Sequence, residues 1–296
     1  MACFHPLAAW KARTAHPSSG RRGVSFQAAI SYKDRPVDLP CGRCVGCLKD
    51  RATSWSMRCE HEASLYLDNW FVTLTYSDSA IPPGGSLCPA DLQNFWKRLR
   101  KAFGKGPRYY ACGEYGSTTA RPHYHALIFN LPLPDASLPL RVRPGDLPEY
   151  SSEQLARLWP HGDIFIGTFT PAAAAYVAKY ITKRAGAEQL EGREPEFQVM
   201  SRRPGIGATW WERFHKTDMR NGVIVVPGGA TIKAPRFYMS RLELRSGRRY
   251  RAARRARRAK VTPPTLEDLR RNSAKEDFQL AQKTFNDSKN RSSNPQ

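Results

Sequence analysis

The run Arg121-Pro-His-Tyr-His-Ala-Leu-Ile-Phe-Asn130 constrains the fold more than any other segment. It is rich in aromatic and branched apolar residues, which favour extended backbone. Successive strand side chains point to opposite faces, so His123 and His125 share one face. Upstream, Arg108–Tyr115 reads as another strand, and the polar stretch 116–122 between them reads as a loop. The two strands are expected to form a hairpin.

Helical signals flank this hairpin. Pro89 suits the first turn of a helix, and Leu92, Phe95, Trp96, Leu99 and Phe103 follow at helical spacing until Gly104. Thr170-Pro171 supplies a side-chain cap and a first-turn proline for a second helix. Four alanines favour that helix, and Gly186 is its expected stop. Tyr176 and Tyr180 lie four apart in it, so both phenols share a face.

Further strands are predicted at 70–76 and 163–169, with a late hairpin at 223–226 and 230–233 and a short capped helix from 151 to 159. Residues 131–149 hold five prolines and no period, and read as a long surface loop. Residues 1–60 read as irregular and cysteine-rich, and 187–220 as mixed. Between Arg241 and Lys260 stand ten basic residues and one acid, Glu243. The last 36 residues are polar and expected to be largely without fixed structure, save a short helix.

The formal net charge of +21 points to a polyanionic partner, and nucleic acid is the commonest. No run of 18 apolar residues is present, so no membrane-spanning helix is expected. The first residues lack a basic segment followed by an apolar core, so no secretory signal is expected. Seven cysteines without an export signal favour metal ligation over disulfides.

The histidine pair offers two neutral nitrogen ligands on one strand face. A cation serving phosphate chemistry also wants a carboxylate and open positions. Glu114 supplies the carboxylate if the hairpin register brings it beside His123 and His125. Mixed nitrogen and oxygen donors suit Mg²⁺ or Mn²⁺, with zinc as an alternative. A phenol has a pKa of about 10 and needs a nearby cation to attack phosphorus. Lys179 and Lys183 are candidates for that role. Attack by Tyr176 or Tyr180 would yield a 5′-phosphotyrosine and a 3′-hydroxyl. Two phenols suit two coupled transfers.

At these residues the chain resembles a known family. Arg121-Pro-His-Tyr-His-Ala together with Tyr176-Val-Ala-Lys-Tyr180 resembles the HUH endonucleases, in particular the two-tyrosine, gokushovirus-like replication initiators of microviruses. Pro40–Cys47, Phe71–Tyr76, Gly113–Gly116 and Met200–Gly207 also fit, so the resemblance covers roughly residues 1–240. Tyr124 departs from the hydrophobic residue usual between the histidines. The resemblance implies site-specific nicking, covalent attachment and closure of single-stranded DNA in rolling-circle replication. It implies an α+β fold of the HUH, ferredoxin-like kind: a central antiparallel sheet with flanking helices. The sequence adds a Cys-rich N-terminal arm and a basic C-terminal tail.

The expected division is a Cys-rich segment at 1–62, an endonuclease domain at 63–240 and a basic tail at 241–296. Cys41, Cys44 and Cys47 are dense enough for thiolate ligands of a structural zinc. Cys3 is the first choice for the fourth, with Cys59 and His61 as alternatives. Cys88 and Cys112 read as core residues. Half of a zinc deaminase signature is also present at Pro40-Cys41, but no His-x-Glu precedes it, which excludes that chemistry. Arg202, Arg203, Arg248 and Arg249 are the candidate nucleic-acid contacts. Expected partners are single-stranded and origin DNA and the host's helicase and polymerase, because no phosphate-cradling Gly-x-x-x-x-Gly-Lys-Ser/Thr loop is present. The expected site of action is the host bacterial cytoplasm. The competing readings are a non-catalytic, zinc-containing nucleic-acid-binding protein and a plasmid or transposon initiator.

Overall fold

The computed structural model describes residues 3–15, 17, 22–116, 119–136, 139–141, 148–179, 192–226, 229–259, 265, 267–268, 270–278 and 281–282. The chain divides into two compact units: Met1–Asp50 with Pro263–Gln296, and Arg51–Thr262.

In the first unit, strands β1 (Leu7–Ala15), β2 (Arg22–Ser25) and β3 (Ser31–Leu39) form an antiparallel sheet in the order β2-β1-β3. Helix α1 (Val45–Ala63) begins here and continues into the second unit. The expectation that residues 1–60 are irregular is therefore corrected. These strands bury little: of β1, only Ala9 is buried. The apolar alternation that betrays a half-buried strand is accordingly missing. Pro36 sits within β3, an edge strand, where a residue without N–H is tolerated.

The second unit continues with β4 (Asn69–Thr75), α2 (Pro89–Phe103), β5 (Arg108–Tyr115) and β6 (Pro122–Phe129). Then come β7 (Pro139–Arg141), β8 (Glu149–Tyr150), α3 (Glu153–Ala156), β9 (Ile164–Thr168) and α4 (Pro171–Lys179). β10 (Phe197–Met200) and α5 (Ala208–Phe214) follow. Among the described residues the central sheet has the order β10-β5-β6-β4-β9-β8-β7, and every neighbouring pair is antiparallel. The fold is thus α+β with a central antiparallel sheet and flanking helices, as expected. The segment 131–149 is not wholly loop: β7 and β8 extend the sheet edge, and Pro139 is tolerated there because it starts the last strand.

Strand alternation decides what each face packs against. Tyr124, Ala126 and Ile128 face α2, whose Leu92, Phe95, Trp96 and Leu99 are buried with Trp159. Leu127 and Phe129, in phase with the histidines, face Cys59 and Ala63 of α1 and Ala174 and Val177 of α4. The helix α4 starts where its cap places it: the Ala173 N–H donates to Thr170 Oγ1 at 3.0 Å. Glu62, fully buried on α1, pairs with Arg108 of β5 and accepts the Gly207 N–H at 2.6 Å, tying α1 to the strand that carries Glu114.

A second core gathers Trp210 and Trp211 of α5 with β11 (Met219–Arg220), β12 (Val223–Val225), β13 (Thr231–Lys233), α6 (Arg236–Arg245) and α7 (Gly247–Ala259). The late hairpin is β12–β13. In α7, Ala253 is buried and Tyr250 half-buried, whereas Arg248, Arg249, Arg251, Arg254 and Arg255 are exposed. No helix among the described residues is long and apolar enough to cross a membrane.

Candidate active site

The register of the central strands sets the site. Glu114 of β5 lies directly opposite His123 of β6, and Cys112 opposite His125. On the other side, Thr73 of β4 lies opposite His125. Residues opposed across a sheet share a face, so Glu114, His123, His125 and Thr73 project together.

Glu114 Oε1 lies 2.9 Å from His123 Nε2 and 2.8 Å from His125 Nε2. Glu114 and His125 are buried, and His123 is nearly so. Burial raises the Glu114 carboxyl pKa, but hydrogen bonds with His123 and His125 outweigh it and leave the pKa lowered to about 2. The carboxylate is therefore ionised at any working pH. The remaining ring nitrogens are held from behind. His123 Nδ1 is 3.1 Å from the Arg121 carbonyl oxygen, and His125 Nδ1 is 2.9 Å from Thr73 Oγ1. In the tautomers that donate Nδ1–H to those oxygens, both Nε2 lone pairs face Glu114.

One donor atom from each of the three residues converges within 4.8 Å. Cis ligands of an octahedral hard cation stand about 2.9 Å apart, from metal–oxygen distances of about 2.0–2.1 Å. The two N···O separations here match that spacing. A carboxylate with two imidazoles also fits Mg²⁺ or Mn²⁺ as a donor set, and it leaves positions for water and phosphate oxygens.

Tyr176 of α4 hangs over this cluster. Its hydroxyl is 3.4 Å from both Glu114 Oε1 and His125 Nε2. The phenol ring meets His125 edge-on, with centroids 5.2 Å apart, and Phe71 stacks on His125 with centroids 5.4 Å apart. Tyr176 remains 41% exposed, so an incoming strand can reach its oxygen. Lys179 closes α4 and is exposed. Tyr180 and Lys183 lie outside the described residues.

Tyr124 sits between the histidines in sequence but points away from them. Its hydroxyl is 2.9 Å from Tyr76 Oη, donates to the Cys88 carbonyl at 2.9 Å and accepts the Cys88 N–H at 2.9 Å. A tyrosine fits this buried position because its hydroxyl is fully partnered.

Elsewhere the structure groups Cys3, Cys41, Cys44 and Cys47 in the first unit. Arg202, Arg203, Arg248 and Arg249 are all exposed in the second. Sequence reasoning missed Thr73 and Phe71. Their period-two spacing within Phe71-Val-Thr-Leu-Thr75 was visible, but their place beside His125 depends on the β4–β6 register.

Comparison with known proteins places the chain. The family model for replication-associated proteins of the ORF2 type matches residues 69–185, which include Glu114, both histidines and both tyrosines. The replication-associated protein VP4 of Bdellovibrio phage phiMH2K is 34% identical over 235 residues, covering 74% of each chain. The replication-associated protein ORF2 of Spiroplasma virus 4 is 36% identical over 222 residues, covering 69% of this chain and 68% of the relative. The replication-associated protein ORF4 of Chlamydia phage 1 is 30% identical over 156 residues, 49% of this chain and 38% of that one. No solved structure matches. With a hairpin-borne carboxylate and histidine pair under a helical tyrosine, and relatives matched along two thirds of the chain, this protein belongs to the phage replication-associated proteins of the microvirus-like kind.

Proposed function

We propose that this protein is the replication initiator of a single-stranded DNA phage, nicking and rejoining DNA through a 5′-phosphotyrosine during rolling-circle replication. The observation that carries the reading is the Tyr176 hydroxyl standing 3.4 Å from a Glu114–His125 pair whose donor spacing suits a hard divalent cation.

Glu114, His123 and His125 would hold Mg²⁺ or Mn²⁺, which supplies polarisation of a non-bridging phosphate oxygen. Tyr176 Oη attacks phosphorus, forming the Oη–P bond while the P–O3′ bond breaks. The phenol proton leaves to solvent, and the departing 3′-oxygen takes up a proton there. Thr73 and the Arg121 carbonyl orient the two imidazoles throughout. Phe71 holds the His125 ring flat beneath the phenol. The 3′-hydroxyl primes a polymerase, and the phosphotyrosine conserves the bond energy for rejoining. Tyr180 is assigned the second transfer from its position one helical turn along the sequence, and Lys179 the role of a cation near the phosphate. Arg202, Arg203 and the exposed arginines of α7 bind the DNA backbone without choosing its sequence. Substrates are the origin and the displaced single strand. Host helicase and polymerase act beside the initiator in the bacterial cytoplasm.

The test is a labelled, origin-containing oligonucleotide incubated with protein and Mn²⁺, with the label placed 3′ of the nick so that it stays on the covalent adduct resolved on a denaturing gel. Replacing both Tyr176 and Tyr180 by phenylalanine should abolish the adduct, and the single variants report which phenol attacks first. An undiminished adduct in the double variant would refute the assignment.

A further inference from the structure

We infer that Cys3, Cys41, Cys44 and Cys47 form a closed four-thiolate zinc site, separate from the nuclease cluster, that fastens the start of the chain to the first turn of α1. The inference does not depend on the nicking reaction.

The geometry is that of a tetrahedron. Zinc–sulfur bonds of about 2.3 Å arranged tetrahedrally put sulfurs about 3.8 Å apart. Here Cys3 Sγ is 3.8 Å from Cys44 Sγ, and Cys41 Sγ is 4.0 Å from Cys47 Sγ. All four sulfurs lie within 4.8 Å of one another. None of the seven cysteines is in a disulfide. Four thiols, one of them drawn from 38 residues upstream of the next, are gathered without cross-linking, and that arrangement calls for something that binds sulfur. Zinc is the ion whose closed structural sites use four cysteines.

The backbone prepares the sulfurs for negative charge. Cys41 Sγ accepts N–H groups from Arg43 at 3.5 Å and Cys44 at 3.3 Å. Cys44 Sγ accepts from Phe4 at 3.3 Å and Cys47 at 3.4 Å, and Cys3 Sγ accepts from Cys41 at 3.2 Å. Gly42, at φ 77°, lets the chain turn back so that two successive N–H groups reach one sulfur. Cys44 and Cys47 also occupy the positive end of α1, which favours thiolates. A set of five N–H···S bonds on three thiols has no evident use in a neutral cluster. It offsets the net negative charge of four thiolates around one divalent ion.

The site also positions a residue from far along the chain. The Val45 N–H, at the start of α1, donates to Glu276 Oε1 at 2.9 Å, and His5 Nε2 lies 2.6 Å from Glu276 Oε2. Cys3 and Cys44 are each within two residues of those contacts. Zinc loading thereby fixes both groups that hold the C-terminal segment in this unit.

The test uses the full-length protein expressed with zinc and passed through gel filtration with excess EDTA. One equivalent of zinc per chain should remain, because a closed site releases its metal slowly whereas an open one does not. The C41S/C44S variant should lose it. The H123A/H125A variant should keep it, which separates this site from the nuclease cluster. Because loss of the cysteines can itself prevent folding, a second measurement uses the unmodified chain. Cobalt(II) replacing zinc should show the intense thiolate charge-transfer absorption of a four-sulfur site, and mass spectrometry should find Cys3, Cys41, Cys44 and Cys47 protected from alkylation until the metal is stripped. Folded wild-type protein that retains no zinc, cobalt bound without thiolate absorption, or alkylation of the four cysteines unaffected by metal would each overturn the inference.

Discussion

Replacing Thr73 by valine tests whether the imidazole orientation read from the structure governs cation binding. Valine keeps the shape and β-branching of threonine in β4 but removes the oxygen 2.9 Å from His125 Nδ1. His125 is buried, so its Nδ1–H would lose an acceptor in a place that water reaches poorly. Leaving such a donor unpartnered costs roughly 1–3 kcal/mol. The ring avoids that cost by moving its proton to Nε2, but that is the nitrogen facing Glu114 and the one a cation needs. Binding must then restore the strained tautomer, so apparent cation affinity falls about 10–100-fold, equivalent to roughly 1.4–2.8 kcal/mol. The assay is adduct formation titrated with Mn²⁺. The half-saturating Mn²⁺ concentration should rise by that factor, and the adduct yield should recover at saturation because the Tyr176 phenol is untouched. T73S, which restores the oxygen, should titrate like wild type. A T73V curve that overlays the wild-type curve would show that Thr73 does not orient His125, and the account of the ligand set would fall with it.

Three further outcomes follow from the fold. T170A removes the oxygen that accepts the Ala173 N–H at the start of α4, and should lower stability by about 1 kcal/mol in urea titration while slowing adduct formation through a frayed tyrosine helix. G162A should prevent accumulation of soluble folded protein: Gly162 has φ 155°, and a Cβ there would lie 2.4 Å from the Thr75 carbonyl oxygen and 2.5 Å from the Ser77 nitrogen. His61 stacks on Trp210 at 3.5 Å and contacts Tyr238 Oη at 2.9 Å, and burial lowers its pKa to about 4. The folded state therefore favours neutral His61, so its contribution is present above the unfolded pKa of about 6.5 and is lost as pH falls toward 4, by about 2 kcal/mol between pH 7 and pH 5. Urea midpoints of wild type and H61Q should converge over that range, and parallel pH profiles would contradict the assignment.

The sequence disclosed the parts of the fold whose burial is one-sided and periodic. The α2 positions Leu92, Phe95, Trp96 and Leu99 and the capped start of α4 could be read because one buried stripe and one cap fix a helix. The strands β1 and β3 could not, because they are largely exposed and their pairing leaves no apolar alternation to see. The site divided along the same line. His123 and His125 announce a shared face through spacing within one strand. Glu114 could be named because a hairpin has few registers open to it. Thr73 is 52 residues from its partner, and only the order β5-β6-β4 brings it opposite His125. The cysteine cluster repeats the pattern: three thiols are local, whereas Glu276, bonded to the Val45 N–H and to His5, comes from a polar segment with nothing in its own composition to mark it. Residues that do chemistry leave signals in spacing and type. Residues that aim them are ordinary threonines and glutamates whose meaning is set by sheet order and chain closure, so the orienting groups at both clusters are where the structure adds most to the sequence.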